Sequence, residues 1–272
     1  MDTKIVRYIL CRMLGVEAAL LLVPVLVAVI YQEKCGIVFL IPIVILCLLF
    51  WVVGRKRPEH GQIYGKEGMV IVALAWILWS LFGAMPFTLS GYIPSYVDAF
   101  FETVSGFTTT GSSIIPDVEV LPHCLLFWRS FTHWIGGMGV LVFVLVVTSL
   151  DRKNSMHLMR AEVPGPEKDK LVPKAMSTAR ILYGMYLTLT VIEMVFLVIG
   201  GMNLFDSMIF SFGSAGTGGF SNYADSVAHF NSAYIDGVIT VFCALFGVNF
   251  ALFYFMILGD FKSVLKNEEL RT

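Results

Sequence analysis

Two short segments of the sequence combine glycine, threonine and serine in a way that suits the coordination of a cation. The first runs from Thr108 to Ser113 (TTTGSS) and the second from Gly216 to Ser221 (GTGGFS). Glycine permits backbone angles that let consecutive carbonyl groups point toward one axis, and threonine adds a hydroxyl oxygen. Rings of such oxygens replace the hydration shell of a potassium-sized ion. The two segments therefore indicate ion binding by backbone oxygens, without covalent chemistry.

Both segments belong to an internal repeat. Without a gap, a shift of 108 residues aligns Asp98 with Asp206, Thr109 with Thr217, Gly111 with Gly219, Ser113 with Ser221, Asp117 with Asp225, and Gly139 with Gly247, and the residues of each of these six pairs are identical. In both copies a short apolar stretch precedes the glycine-rich segment. The pattern predicts two copies of a unit made of a span, a half-helix, a glycine-rich turn and a second span. Flexible extracellular turns, the other interpretation, do not account for the repetition.

The composition is that of a membrane protein. Of the 272 residues, 57% are hydrophobic and 14% are charged, and the mean hydropathy is +0.79, whereas soluble domains carry about 25% charged residues. A net charge of −1 provides no basic excess for nucleic-acid binding. The five cysteines form no C-x-x-C pair, so no zinc or thioredoxin-like site is indicated. A disulfide between Cys35 and Cys124 is a minor alternative.

Six hydrophobic blocks are long enough to cross a bilayer, whose core of about 30 Å needs roughly 20 apolar residues in a helix. They cover about 8–30, 36–53, 68–89, 124–150, 181–199 and 234–258. Irregular backbone is tolerated at membrane depth only where it lines a polar cavity. The sequence thus predicts an all-α membrane protein with six transmembrane helices and two re-entrant pore helices, each followed by a filter loop.

The distribution of charge predicts the orientation in the membrane. Lys and Arg concentrate at both ends of the chain and in the second and fourth loops, whereas loops 31–35, 90–123 and 200–233 hold one lysine, Lys34, and no arginine. Because cytoplasmic loops carry the positive excess, both termini are expected in the cytoplasm. The long outer loops carry an acidic bias that would attract cations.

Several charged side chains near the membrane call for partners. An unpaired arginine at a helix centre costs about 2.5–3.5 kcal/mol, and we therefore predict that Arg129 pairs with Glu102 and braces the first filter loop. Asp98 and Asp206 stand at the beginnings of the half-helices, where we expect them to cap N–H groups rather than to bind the ion.

Other interpretations of the polar residues are weaker. Glu17 and Glu193 lie within spans, where an acid is a functional candidate, but packing against a neighbouring helix explains both equally well. A carrier for another solute would need a midplane substrate site, and the sequence indicates none. The histidines show no H-E-x-x-H spacing and no G-x-S-x-G motif is present, so an enzyme is not expected.

Three segments resemble a known family of transporters. Residues 101–111 (FETVSGFTTTG) are similar to its first pore helix and selectivity filter, residues 128–139 (WRSFTHWIGGMG) to the start of the following inner helix, and residues 215–221 (AGTGGFS) to its second filter. Over nearly its whole length the chain resembles the Trk/Ktr/HKT superfamily of potassium transporters, most closely the bacterial TrkH type. Potassium is then the transported ion, in the bacterial plasma membrane, and no cofactor is expected.

The resemblance also implies which residues form the site. The implied filter residues are Thr108, Thr109, Thr110, Gly111, Ser112, Thr217, Gly218, Gly219 and Phe220, with K⁺ held by the backbone carbonyls of Thr109, Thr110, Gly111, Thr217, Gly218 and Gly219. Besides membrane lipid, the implied partners are a second copy of the protein and a cytosolic TrkA-type nucleotide-binding regulatory subunit.

The chain departs from the family pattern in the number of its repeats, because family members carry four in one chain and this sequence carries two. The expected organisation is two helices in 1–60, the first repeat in 61–150, a basic cytoplasmic linker in 151–175, the second repeat in 176–260, and a connector to a third repeat in 261–272. We expect a truncated chain. The alternatives are a half-transporter that pairs two chains, and a non-conducting membrane scaffold derived from such a transporter.

Overall fold

The computed structural model describes residues 3–54, 65–139 and 175–257. Over these residues the chain forms α-helices joined by loops and short 3₁₀ or π turns, without a β-strand, which confirms the all-α class. Predictions for the fourth hydrophobic block beyond Gly139, for most of the basic linker and for the connector 261–272 lie outside the described residues.

The first two hydrophobic blocks form a helical pair. Helix α1 (Thr3–Leu20) continues into α2 (Leu22–Ile30) with a small break at Leu21. The break precedes Pro24, which has no N–H to complete the hydrogen bond to the preceding turn. A 3₁₀ turn then leads into α3 (Leu40–Leu49), which ends in a π turn.

Among the described residues, four segments are long and apolar enough to cross a membrane, judged by length and composition. They are Thr3–Ile30, Lys34–Gly54, Glu67–Leu89 and Arg180–Ile199. The last two belong to helices α4 (Gly65–Leu89) and α7 (Ala175–Ile199). These segments agree with the first, second, third and fifth predicted blocks.

The sixth block differs from the prediction of one continuous span. Helix α9 (Ala233–Gly247) ends where Val248 takes an extended conformation, and α10 (Phe250–Ile257) begins after it. In the first copy of the repeat, α6 (His123–Gly137) likewise ends just before Gly139, which has a φ of +74°. Both helices therefore end next to the repeated pair Gly139 and Gly247.

Two short helices, α5 (Tyr96–Phe107) and α8 (Leu204–Ala215), lie between the longer ones. The first residue of α8 follows the first residue of α5 by 108 residues, and the same holds for their last residues. They are capped by Ser95 and Asn203, whose side chains accept hydrogen bonds from the N–H groups of Asp98 and Asp206. The prediction that these aspartates are the caps is therefore wrong. They lie three residues further along, because Ser95 and Asn203 are the residues with extended backbone angles that a cap requires.

Helix α6 packs against the carboxyl ends of both short helices, and two glycines make this approach close. A Cβ atom at Gly136 would overlap the carbonyl oxygen of Phe107, at the end of α5. A Cβ atom at Gly137 would lie 2.9 Å from the carbonyl oxygen of Ala215, at the end of α8. Close helix packing is the role expected for small residues in a membrane protein. The two short helices therefore end side by side on α6.

A long-range cap joins the amino-terminal pair to α6. The carboxylate of Glu33 accepts hydrogen bonds from the backbone N–H groups of His123 (2.7 Å) and Cys124 (3.0 Å), whereas Pro122, at the cap position, provides no side-chain bond. Partial burial alone would raise the pKa of Glu33, but the hydrogen bonds from Cys124 and His123 outweigh it and lower that pKa. The carboxylate also faces the positive end of the helix dipole.

Replacing Glu33 by Gln should remove a pH-dependent part of the stability. A carboxyl group whose pKa is lowered by folding stabilises the protein fully above its unfolded pKa, and this contribution disappears as the pH falls through the folded value. We expect the variant to lose about 1–2 kcal/mol at pH 7 and less at pH 3, which lies below the unfolded pKa. Thermal unfolding in detergent across this range measures both. Equal losses at the two pH values would contradict the assignment.

Candidate functional site

Each glycine-rich turn folds back onto the helix that precedes it. In the first copy, the N–H groups of Thr110 and Gly111 donate to the carbonyl oxygen of Ser105, at 3.0 and 3.5 Å. In the second copy the corresponding N–H groups donate to the carbonyl oxygen of Gly213, at 3.1 and 3.3 Å. Donors and acceptors are all displaced by 108 residues. The repeat predicted from identities in sequence is thus also a repeat of backbone geometry.

The backbone angles of the two turns agree as well. Thr109 and Thr217 have φ values of +55° and +53°, and Gly111 and Gly219 have values of +77° and +80°. A β-branched residue rarely adopts positive φ, and such a conformation costs about 1–3 kcal/mol where the surrounding structure enforces it. The same unfavourable conformation at both threonines shows that the turns share one specific shape.

The hydrogen bonds determine where the carbonyl groups point. In a trans peptide the C=O group is opposite the N–H of the next residue, and the described residues contain no cis peptide. Because the N–H groups of Thr110 and Gly111 point back to α5, the carbonyls of Thr109 and Thr110 point away from it. The same reasoning turns the carbonyls of Thr217 and Gly218 away from α8.

Two further carbonyls follow the same direction. The N–H groups of Thr109 and Thr217 donate to the last turns of α5 and α8, at 3.0 and 2.9 Å, so the carbonyls of Thr108 and Gly216 also point away from the helix ends. The filter residues predicted from the sequence include Thr108 but not Gly216. Its position one repeat after Thr108 was the signal that could have identified it.

The two turns are in direct backbone contact. A Cβ atom at Gly111 would overlap the carbonyl oxygen of Gly218, whereas a Cβ atom at Gly219 would meet nothing within 4 Å. No side chain fits between the two turns at this point. The predicted filter residues of the first and second copies are therefore adjacent in space.

Not every residue of the predicted site contributes in the same way. The hydroxyl of Thr108 donates to the carbonyl of Val104 and contacts the hydroxyl of Thr110 at 2.8 Å, so these side chains stabilise the turn. Ser112 is exposed. The ring of Phe220 is buried and stacks on His133, which makes it a packing group behind the second turn.

A buried ion pair lies beside the turns. The Nε atom of Arg129 donates to Oε1 of Glu102 at 2.6 Å, and the two residues are 4% and 1% exposed. The structure thus confirms the predicted contact between the fourth block and the first half-helix.

Each partner of the ion pair also holds the chain just beyond one turn. Glu102 accepts hydrogen bonds from the hydroxyl of Ser113 (3.0 Å) and from the N–H of Ile114 (2.9 Å). Arg129 donates to the carbonyl of Ser221 (2.8 Å), and its guanidinium lies 3.6 Å from the centre of the Phe220 ring. One charged contact therefore connects the exits of both turns.

Asp206 provides a second anchor for the second copy. Its carboxylate accepts hydrogen bonds from the side chains of Asn203 (2.7 Å), Asn222 (2.7 Å) and Tyr223 (3.0 Å). Partial burial, together with the hydrogen bond to Asp206, raises the pKa of Tyr223 to about 12, so the phenol remains a donor at neutral pH. Asp98, the repeat partner of Asp206, is only half-buried in the first turn of α5.

The two acids within the spans, Glu17 and Glu193, are not part of the glycine-rich turns. Glu17 and Glu193 are fully buried, and among the described residues neither carboxylate has a hydrogen-bond partner. Glu193 is close to Ser214, in the last turn of α8. All five cysteines have free thiols, and the described residues contain no cluster of three or more metal-binding side chains.

Removing one partner of the Glu102–Arg129 pair should strongly destabilise the protein, because an uncompensated buried charge remains. We expect Arg129→Gln to lower the free energy of unfolding by about 3–5 kcal/mol, and the double variant with Glu102→Gln to lose less than the sum of the single losses. Thermal unfolding in detergent measures each. Arg12→Gln, which removes an arginine that donates to the hydroxyl of Tyr8, is the control. Losses no greater than the loss in this control would contradict the role of the ion pair.

The two turn glycines should respond differently to alanine although their φ values agree. Both variants place a Cβ atom at positive φ, which costs about 1–2 kcal/mol, but only Gly111→Ala also collides with Gly218. We expect about 3 kcal/mol or more for Gly111→Ala and less for Gly219→Ala. Gly184→Ala, at an open helical position, is the control and should be neutral or stabilising. Equal losses at both turns would refute the backbone contact.

Comparisons with known proteins agree over most of the chain. The TrkH family model, described as a cation transport protein, matches residues 36–269. The Trk system potassium uptake protein TrkH of Escherichia coli (strain K12) is 35% identical over 258 residues, which cover 92% of this chain and 53% of that protein. TrkG of the same strain, another Trk system potassium uptake protein, is 35% identical over 255 residues, 92% of this chain and 53% of that protein.

A solved structure has the same fold. The crystal structure of the potassium transporter TrkH from Vibrio parahaemolyticus matches with a TM-score of 0.81 and 29% sequence identity, over 97% of this chain and 54% of that chain. The chain thus spans about half the length of the relatives it matches. These relatives are transporters and not enzymes, and together with the apolar spans they identify a multi-pass membrane protein. The chain belongs to the TrkH family of cation transport proteins.

Proposed function

We propose that this chain contributes two filter segments to a pore for potassium uptake. The observation that carries the proposal is the repeated turn, in which the carbonyls of Thr109, Thr110, Thr217 and Gly218 point away from their helices while the two turns touch. Closely spaced carbonyl oxygens are the ligands that replace the hydration shell of K⁺. Similarity to Trk system potassium uptake proteins supports the same ion.

The short helices favour a cation electrostatically. Both α5 and α8 have their carboxyl ends at the turns, and the carboxyl end of a helix carries a partial negative charge. The carbonyls of Thr108 and Gly216 extend the set of oxygens, and those of Gly111 and Gly219 complete the set predicted from the sequence. Two adjacent turns surround an ion on only part of its circumference, so the remaining ligands come from outside these two turns.

A role in a potassium pore implies a particular membrane topology and particular partners. We infer six transmembrane helices, two re-entrant pore helices α5 and α8, cytoplasmic termini and insertion in the bacterial inner membrane, with domains as expected from the sequence. Large apolar side chains are exposed on the spans, among them Leu26, Val29, Leu48 and Val195, which suits contact with lipid. A homodimer and a TrkA-type regulatory subunit on the cytoplasmic face complete the proposal.

A chimera tests whether the two turns function in a pore. Residues 1–272 replace the segment of the E. coli TrkH with which they align, and the chimera is expressed in a bacterium that lacks its own potassium uptake. We expect growth at limiting potassium and measurable K⁺ influx. Gly111→Asp and Gly219→Asp should abolish both, because each places a charged side chain at a turn with positive φ. Gly184→Ala serves as the control, and membrane levels are matched by immunoblot.

Three results would decide the matter. Growth that depends on both glycines supports a conducting role. Growth that survives both aspartate variants would place the ion path elsewhere. An inserted chimera that carries no K⁺ would favour the non-conducting scaffold. The 272-residue chain expressed alone adds one distinction, since rescue by it would mean that copies of this chain complete the pore among themselves.

A further inference from the structure

We propose that His133 is a positioning residue that sets the distance between the two filter turns and thereby the size of cation they accept. This inference rests on the proposed function. His133 lies on α6, one helical turn after Arg129, and is fully buried.

The imidazole is packed directly against the second turn. A Cβ atom at Gly218 would lie 2.6 Å from both Cε1 and Nε2 of His133. The main chain of His133 is equally close, because a Cβ atom at Gly216 would lie 2.7 Å from its carbonyl oxygen. Both glycines carry carbonyls of the proposed filter. The position of the Gly218 carbonyl therefore depends on the volume of the imidazole, and that of Gly216 on the main chain of the same residue.

Gly218 is confined from the other side as well. Its carbonyl oxygen occupies the place that a Cβ atom of Gly111 would take, so Gly218 lies between the imidazole of His133 and the backbone of the first turn. Close-packed interiors transmit changes in volume directly to their neighbours. A smaller side chain at position 133 would let Gly218 move away from Gly111 and widen the space between the turns.

Stacking, rather than hydrogen bonding, holds the ring in place. Its centre lies 3.9 Å from that of Phe220, with 23° between the ring planes, and the guanidinium of Arg129 also lies over the Phe220 ring. Among the described residues no hydrogen bond to either imidazole nitrogen has standard geometry, although the ring lies within reach of the backbone of Ser105. The contact is therefore steric, and an aromatic ring without nitrogen atoms should replace the imidazole where a small side chain cannot.

The first test measures cation preference in the chimera defined above. We expect His133→Ala to raise the ratio of Cs⁺ to K⁺ influx at least about threefold, because a wider site favours the larger ion, and His133→Phe to restore a ratio close to that of the parent. Phe131→Ala is the matched control, since Phe131 is a buried ring on the same helix that packs on Phe127, Trp134 and Phe212. A variant that still carries K⁺ with an unchanged ratio would overturn the inference and leave the proposed function intact.

The second test does not require transport. Hydrogen exchange by mass spectrometry on the purified 272-residue chain in detergent should show about tenfold faster exchange at the Gly218 and Gly219 amides in His133→Ala, with no such change in Phe131→Ala. If the parent chimera carries no K⁺, the proposed function fails and this measurement still decides the role of His133. The inference about His133 would be overturned if exchange rises equally in His133→Ala and Phe131→Ala, or if it rises in neither variant.

Discussion

The buried contact between Glu102 and Arg129 is the constraint on which the rest of the site depends. It joins the middle of α5 to α6, and its outer hydrogen bonds hold the chain where it leaves each glycine-rich turn. Desolvating two charges costs several kcal/mol, and their attraction recovers this only with good geometry and further hydrogen bonds. The pair therefore contributes more to the position of the turns than to overall stability. That position matters because both turns contain a threonine in a left-handed conformation, which relaxes unless its surroundings prevent it.

Much of the architecture could be predicted from local patterns. The length of the apolar runs located the spans, and the 108-residue spacing located both short helices and both turns, because an ion site made of backbone needs the same conformation in each copy. The partner of Arg129 could be predicted because few acids near that face of the membrane were available. The helix caps could not be predicted, because the identity between Asp98 and Asp206 indicated the wrong residues. Only the extended backbone angles of Ser95 and Asn203 show that these two residues are the caps.

Contacts between distant parts of the chain could not be predicted from the sequence. Glu33 lies some 90 residues before the helix it caps, and no periodic pattern connects them. Phe220 was assigned to the filter through the family resemblance, which did not indicate that its ring fills the space between Arg129 and His133. His133 carries no motif that marks it, because its role is determined by volume and by what it touches. The break at Val248 also escaped detection, since an apolar run is compatible with either one helix or two.

The contact between Gly111 and Gly218 joins two unlike surfaces of the same repeated unit. Under the 108-residue shift Gly218 corresponds to Thr110 and not to Gly111. The two copies therefore meet through different edges, as in a head-to-tail assembly and not in a two-fold one. A head-to-tail contact leaves a complementary surface unused at each end, and whether such a series closes depends on the rotation between successive units. The open surroundings of Gly219 mark that unused edge within the described structure. Another helix–turn unit that docks at this edge with the same rotation would extend the series. If each rotation is a quarter turn, four units form a closed ring.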